Sequence, residues 1–359
     1  MMKALRKLLL TVILILILAI GGFLGWLTMT EYTPAPVETL KASSREAETV
    51  LPEEATLDLL SWNIGYAGLG AESDFIMDGG ENVRSADEAT VKKYLSEIGK
   101  VTQDGYDLVI LQEVDTDASR TYGIDEADTL AWGDAYHALN FSCPFVPNPV
   151  KYVTDPIGKV NSGLLTLSHY KIDSSERISL PCPFSWPLRI ANLKRCLLVS
   201  YLPIEGSDKQ LVLVNLHLEA YDDGEGKIAQ TEQLKRFIQT EYEKGNYVIA
   251  GGDFNQVFPG SLEVYPNALP ELWEPGVLDD SMLPAGEGWQ FVYSLDAPTC
   301  RLLNQPYDPS DVKNTQYYVI DGFIISPNVE LVLVETLGDQ NFASSDHNPV
   351  HIQVTLLEP

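Results

Sequence analysis

The chain has 359 residues, 45% of them hydrophobic and 21% charged, enough for one large domain or two modest ones and too apolar for a disordered or fibrous protein. Lys plus Arg number 24 against 51 Asp plus Glu, a formal net charge of -27. That balance argues against wrapping a nucleic-acid backbone through a broad basic surface, and leaves room for a small cleft that takes a phosphate ester.

Lys3, Arg6 and Lys7 precede an uncharged run from Leu8 to Leu27. At 1.5 Å per residue this run reaches about 30 Å, enough to cross a bilayer. The positive flank predicts residues 1–7 in the cytoplasm, residues 8–27 as a transmembrane anchor, and everything later outside. A cleaved signal peptide is the rival reading. The run exceeds the usual apolar core of about 7–15 residues, and Trp26-Leu27-Thr28-Met29 makes a poor cleavage site. Residues 28–56, rich in Thr, Ser and Glu and broken by Pro34, Pro36 and Pro52, read as an extracellular linker. A short helix near 38–49 is expected in it, and the linker would hold the domain off the membrane. The four cysteines, 143, 182, 196 and 300, are too few for a disulfide-dense scaffold, and their spacings resemble no metal knuckle. Outside a cell thiols tend to pair, and Cys143 with Cys182 is one of the possible pairs.

From residue 57 onward the pattern is α/β. Leu57–Trp62 predicts a strand ending in Asn63. Residues 86–101 predict a helix through Val91, Tyr94, Leu95 and Ile98, and Asp107–Leu111 a strand ending in Gln112-Glu113. Gly163–Leu167 is another strand. Cys196–Tyr201 and Leu211–Leu218 read as neighbours joined through Gly206-Ser207-Asp208. Residues 226–244 predict an amphipathic helix with Ile228, Leu234, Phe237 and Ile238 inward. Tyr247–Ala250 leads into Gly251-Gly252-Asp253-Phe254-Asn255, residues 256–315 read as surface loops, and strands follow at 317–326, 329–336 and 351–356. No polar linker divides residues 57–359, so they are expected to form one domain.

The polar residues stand out by position. Asn63, Glu113, His217, Asp253, Asn255, Asp321, Asp346 and His347 lie within or just past apolar runs. Strand interiors tolerate such groups when they are paired or converge on an opening, so a common site explains them together. Carboxylates and amides suit Mg2+ or Mn2+, and the lack of Cys in these clusters argues against structural zinc. Ser61-Trp62-Asn63, Leu111-Gln112-Glu113-Val114, Val214-Asn215-Leu216-His217-Leu218, Gly252-Asp253-Phe254-Asn255, Ile320-Asp321-Gly322 and Ser345-Asp346-His347-Asn348-Pro349-Val350 together resemble, in order and spacing, the endonuclease/exonuclease/phosphatase superfamily with its DNase I-like fold. The resemblance covers about residues 57–357. It implies a four-layer α/β sandwich, two packed and mostly antiparallel sheets with helices outside, and metal-dependent phosphoester hydrolysis.

Carried over residue by residue, the resemblance implies that Glu113 is the main carboxylate ligand of Mg2+, with Asn63 beside it and Asp346 completing the site. Asp253 and Asn255 orient the attacking water or bind a second metal. His347 faces the scissile phosphate and is oriented by Asp321. His217 contacts the phosphate and protonates the leaving oxygen, although the residues alone leave open which imidazole does which. Asn161, in a segment similar to a family strand, and Arg301 in Pro298-Thr299-Cys300-Arg301 are substrate candidates, as are Arg120 and the Lys194-Arg195 pair. His137, His169 and His351 match no motif and read as surface or structural. The Asn215-x-His217-Leu218 segment is similar to the DNase I and sphingomyelinase-like branches. The expected activity is therefore a phosphodiesterase on nucleic acid, a phospholipid head group, or a sugar or inositol phosphate, in a monomer tethered to the outer face of a cell membrane. A binding protein that kept the fold and lost catalysis is the alternative of another class.

Overall fold

Runs that are apolar at every position, rather than at every second one, imply strands covered on both faces. The computed structural model, which describes residues 2–84, 87–148, 154–222, 224–311 and 313–358, bears this out. Its elements in chain order begin with α1 (Met2–Met29), β1 (Val37–Thr39), β2 (Thr56–Asn63), α2 (Glu88–Thr102), β3 (Leu108–Asp115), α3 (Glu126–Leu130), β4 (Asp134–Val146) and β5 (Gly158–Ser168). Next come β6 (Ser174–Ser179), β7 (Cys196–Pro203), β8 (Gln210–His217), α4 (Glu225–Glu243) and β9 (Tyr247–Asp253). The remainder holds β10 (Gln256–Val257), α5 (Ser261–Val264), β11 (Gly276–Val277), β12 (Gln290–Val292), β13 (Cys300–Arg301) and β14 (Tyr317–Tyr318), then β15 (Asp321–Ile325), β16 (Val329–Thr336) and β17 (Val350–Leu356).

Two sheets dominate. One has the order β1-β6-β7-β8-β9-β15-β12, the other β16-β17-β2-β3-β5-β4. Each is antiparallel except for one parallel pair, β8–β9 and β2–β3 respectively. A parallel pair needs a crossover, and each pair has a helix for it: α4 between β8 and β9, α2 between β2 and β3. Three apolar layers result. Leu57, Leu59, Leu108, Ile110, Leu211, Leu213, Ile249 and Phe323 pack between the sheets. Val212, Val214 and Leu216 face α4 through Leu234 and Ile238. Leu60, Trp62, Val109 and Leu111 face α2 through Val91, Leu95 and Ile98. The chain thus folds as two mostly antiparallel sheets flanked by helices, as the resemblance implies.

Asp87 caps α2 by accepting from the Thr90 amide (2.8 Å); Ala86, where the helix was expected to start, lies outside the described residues. Asp222 does the same work for α4, accepting from the Gly226 and Lys227 amides. Ile228 is a correction: it is 57% exposed. Six residues before Leu234 and ten before Ile238, it sits about 100° around the helix from the middle of the face that they bury.

Residues 28–56 are likewise not a free tether. They form no helix over 38–49. Val37–Thr39 instead pairs antiparallel with Ile178–Glu176, Ser44 bridges to Ala135, and Leu51 bridges to Ile204 with its side chain fully buried in the inter-sheet core. All four cysteines are free, and Cys143 packs with Phe141, Val146 and Val160 rather than pairing with Cys182. α1 is one helix long and apolar enough to cross a membrane, a property that a signal sequence shares.

Candidate active site

Alternation along the strands places the site. Leu211 and Leu213 point between the sheets, so Asn215 and His217 continue that face at period two. On β9 the same face carries Ile249, Gly251 and Asp253; on β15 it carries Ile325, Phe323 and Asp321. Register then sets His217 opposite Asp253 and Asp253 opposite Asp321, a row across three neighbouring strands. On β2 the series Leu57, Leu59, Ser61 ends in Asn63. The site is the continuation of the inner core past its last apolar residues.

Glu113 arrives differently. Gln112 keeps the inward phase of β3 and donates to Asn215 Oδ1 (2.8 Å), so simple alternation would turn Glu113 toward the helices. The register shifts between Leu111 and Val114, and Glu113 takes φ 55. This bulge brings its carboxylate to Asn63, whose Nδ2 donates to Glu113 Oε1 (3.2 Å) and to Asp253 Oδ2 (3.0 Å). The 345–347 turn supplies the rest. Ser345 Oγ donates to the Asn63 carbonyl (2.8 Å), and Trp62 Nε1 donates to the His347 carbonyl (2.8 Å). Gly65 has φ +51, and a Cβ there would come within 2.8 Å of Asp346 Oδ1, so only glycine fits against that carboxylate.

His347 Nδ1 lies 2.8 Å from Asp321 Oδ2, and its Nε2 lies 3.9 Å from Asp253 Oδ2. His217 Nε2 lies 3.6 Å from the same oxygen and 4.0 Å from Glu113 Oε1. One ligand atom each from Asp253, Asp321 and His347 falls within 4.8 Å of the others, a cluster able to hold a metal ion. The two imidazoles are pushed in opposite directions. Burial works against the imidazolium of His347, but Asp321 and Cys300 together more than offset it and hold the group well above the ordinary range. Burial, with Arg195 and His347 nearby, pushes His217 well below it. Burial, then Asp321, raises Asp253 to about 7. Burial raises Asp346 to about 7, with Glu113 adding to the rise while His347 and Arg301 oppose it.

Four buried or half-buried carboxylates around one rim lack enough positive charge among themselves. Asp321 Oδ1 and His217 Nδ1 are buried without a hydrogen-bond partner, and an unpaired buried polar atom is destabilising. Oxygen-rich donors short of a counter-charge fit a hard divalent cation.

Asn255, at φ 50, donates its backbone N–H to Asp253 Oδ1 (2.8 Å) and its amide to the Leu218 carbonyl (2.8 Å). Asn215, inside the motif, is a cross-sheet clamp: Nδ2 donates to the Leu111 and Leu165 carbonyls (3.0 Å each). The outlying candidates are engaged elsewhere. Arg120 holds Asp115 in a bidentate pair (2.8 Å twice) and lies 3.5 Å from the Tyr66 ring centroid. Arg301 is 1% exposed and donates to the carbonyls of Gly70 (2.9 Å) and Leu302 (3.3 Å), tying two loops together. Asn161 accepts from Ser142 on the neighbouring strand (2.7 Å). Arg195 donates to the His217 carbonyl (3.1 Å) and lies 3.4 Å from Glu219.

Sequence reasoning missed Tyr66 and Asp78. Tyr66 is 1% exposed with its hydroxyl unpartnered, and it has φ 42. Asp78 is buried, which raises it to about 6, and accepts from the Leu303 amide (3.2 Å). Neither sits on a strand, so period-two counting could not reach them; the glycine at 65 was the available signal for an unusual turn.

No curated protein sequence matches the chain. Among solved structures it is similar to an endonuclease/exonuclease/phosphatase from Beutenbergia cavernae, at 17% identity and TM-score 0.52 over 84% of this chain and 72% of that one. It is also similar to a family protein from Leptotrichia buccalis, at 15% identity and TM-score 0.50 over 83% of this chain and 99% of that one. At these identities the likeness speaks for the fold alone. The sequence profile of the Endonuclease/Exonuclease/phosphatase family matches residues 60–347, a span from β2 to the His347 turn, and the chain belongs to that family.

Proposed function

We propose that the chain is a metal-dependent phosphodiesterase that attacks its substrate with an activated water. The observation that carries this reading is the meeting at one rim of Asn63, Glu113, Asp253, His217 and the Asp321–His347 pair, within 4.0 Å from neighbour to neighbour. Asn63, Glu113 and Asp346 would hold Mg2+, or Mn2+ in its place. When bound, the ion supplies positive charge where a phosphate oxygen gathers negative charge.

The chain's own residues do the remaining work. Asp253, raised to about 7, is matched to accepting a proton from water near neutral pH. Asn255 fixes that carboxylate through its backbone N–H and helps to orient the water. Asp321 keeps His347 charged, so His347 starts each turnover as a proton donor toward the leaving oxygen. His217 starts neutral and contacts the phosphate. His217 thus keeps the phosphate contact that the resemblance suggested, and protonation of the leaving oxygen passes to His347. Arg120, Arg301 and Asn161 would act on substrate only through the loops and strands that they hold.

The N-terminal part of the proposal is a membrane anchor: residues 1–7 inside, 8–27 spanning, and the catalytic domain outside. The cations before the apolar run support it. Carbonate extraction and protease protection of the full chain test it, and a chain released into the soluble fraction with a shortened N-terminus would favour a cleaved signal.

The activity test is a panel of double-stranded DNA, RNA, sphingomyelin, bis-p-nitrophenyl phosphate and inositol phosphates, each with Mg2+, Mn2+ or chelator. Hydrolysis with Mg2+ or Mn2+ that chelator abolishes supports the proposal. Hydrolysis indifferent to chelator, or none on any substrate, sinks it.

A further inference from the structure

We infer that loop 183–194 and Phe145 form a seat that presses the catalytic domain onto the bilayer beside the end of α1. The inference rests on residues 8–27 being the proposed membrane span.

The domain and the helix end are joined by several kinds of contact. Glu31, its side chain only 5% exposed, lies 3.0 Å from Arg189 Nε and 3.4 Å from Lys194 Nζ. Trp186 Nε1 donates to Thr28 Oγ1 (3.0 Å). The Phe23 and Phe145 rings meet edge to face at 5.6 Å. Tyr32 donates to the Leu139 carbonyl (3.2 Å), and Leu27 is buried.

These contacts set depth. A bilayer core of about 30 Å takes up about 20 helical residues, which is the apolar run 8–27. Its outer boundary therefore falls near residue 28, and Trp186, bonded to Thr28, is held at that level. Indoles favour the bilayer interface. Phe23 lies five residues further in, about 7.5 Å deeper along the helix, and it carries the partner ring of Phe145 to that depth. Next to Trp186, Leu188 is 66% exposed, and Trp186 itself 50%. Apolar side chains so exposed beside a membrane span need a cover, and lipid is what surrounds them there.

Charge agrees. From Arg177 to Ile204 the chain carries four cations and no Asp or Glu, although acids outnumber bases two to one overall. Nothing in this stretch repels anionic head groups, unlike most of the surface. Arg195, next to Lys194, donates to the His217 carbonyl, so the seat adjoins the strand end that bears the site.

The test uses the full chain with Cys182→Ser and a bimane on Leu188→Cys, Phe145→Cys or Asp208→Cys; the other three cysteines are buried. Asp208 lies in the turn from β7 to β8, at the far end of β8 from His217, with its side chain 86% exposed. The protein is reconstituted into phosphatidylcholine–phosphatidylglycerol vesicles containing doxyl lipid. Quenching at 188 and 145 should exceed that at 208 by about threefold or more. Because Leu188 is exposed, its variant reports even if the Phe145 variant misfolds. Equal quenching at 188 and 208 in a chain that floats with the vesicles overturns the seat and leaves the anchor standing. A chain that does not float removes both.

Discussion

The two parallel strand pairs make the same shape and deliver their site residues by different means. β8–α4–β9 brings His217 and Asp253 to the rim in unbroken register. β2–α2–β3 brings Asn63 by register but Glu113 through a bulge and a left-handed backbone. The first device follows from alternation and leaves the unusual backbone to a glycine, Gly252 at φ 143, rather than to the carboxylate residue itself. The second re-aims one carboxylate against alternation and holds it in a conformation that L-residues disfavour by about 1–2 kcal/mol.

The sharpest break in the registered half is Asp253→Asn. Turnover should fall by about a thousandfold or more while the fold persists; circular dichroism and a metal-saturated rate assay check both. Activity within about tenfold of the parent would remove Asp253 from the chemistry.

In the bulged half, Glu113→Gly separates strain from function. Divalent-cation affinity, read by calorimetry, should drop by more than about tenfold. Thermal unfolding should nonetheless show a gain of about 0.5–1 kcal/mol, the relief of φ 55 less the added freedom of glycine when unfolded. A destabilised variant would mean that the bulge is not strained.

Asn215→Ala tests which part of the Asn215-Leu216-His217 segment is structural. It leaves the Leu111 and Leu165 carbonyls without their donor, so stability should fall by about 2 kcal/mol. Turnover per folded molecule should move far less than for Asp253→Asn, as active-site titration will show.

A pH series compares the rim with and without its cation. Asp253 and Asp346 are raised to about 7 from an ordinary value of 3.8. A buried acid of this kind stabilises the fold fully below its unfolded pKa, and the contribution is lost as pH rises through the folded one. His217, pushed down by burial, works the other way over the same window, but two acids oppose one imidazole, so the chelated protein should lose melting temperature, by a few degrees, between about pH 4 and pH 7. Saturating Mg2+ should flatten the curve. A chelated protein that gains stability over that window contradicts the assignment.

Much of this was legible in the residues. The strands at 108–115, 210–217 and 247–253 announced themselves through unbroken apolar runs, because burial on two faces demands it, and the strand at 56–63 through a run broken only by Asp58 and Ser61. Polar residues at their ends then marked the rim. Three features were not legible. Ile228 counted as core because the helical pattern was read without its phase. Residues 28–56 looked like a linker because proline and glutamate fit an exposed edge strand as well as a tether. Arg120 and Arg301 looked available: the Asp115 that holds Arg120 is five residues away but reaches it only through the turn after β3, and the Gly70 carbonyl that holds Arg301 comes from a distant loop.

The order and identity of the chemical groups were determined by the sequence itself: which strands end in carboxylate, amide or imidazole follows from composition and period. Tertiary structure alone decided where Glu113 points, which imidazole is pushed up and which down, and how the helix end meets the domain. Those outcomes depend on distances between segments far apart in the chain, and a local pattern carries no information about a partner tens or hundreds of residues away.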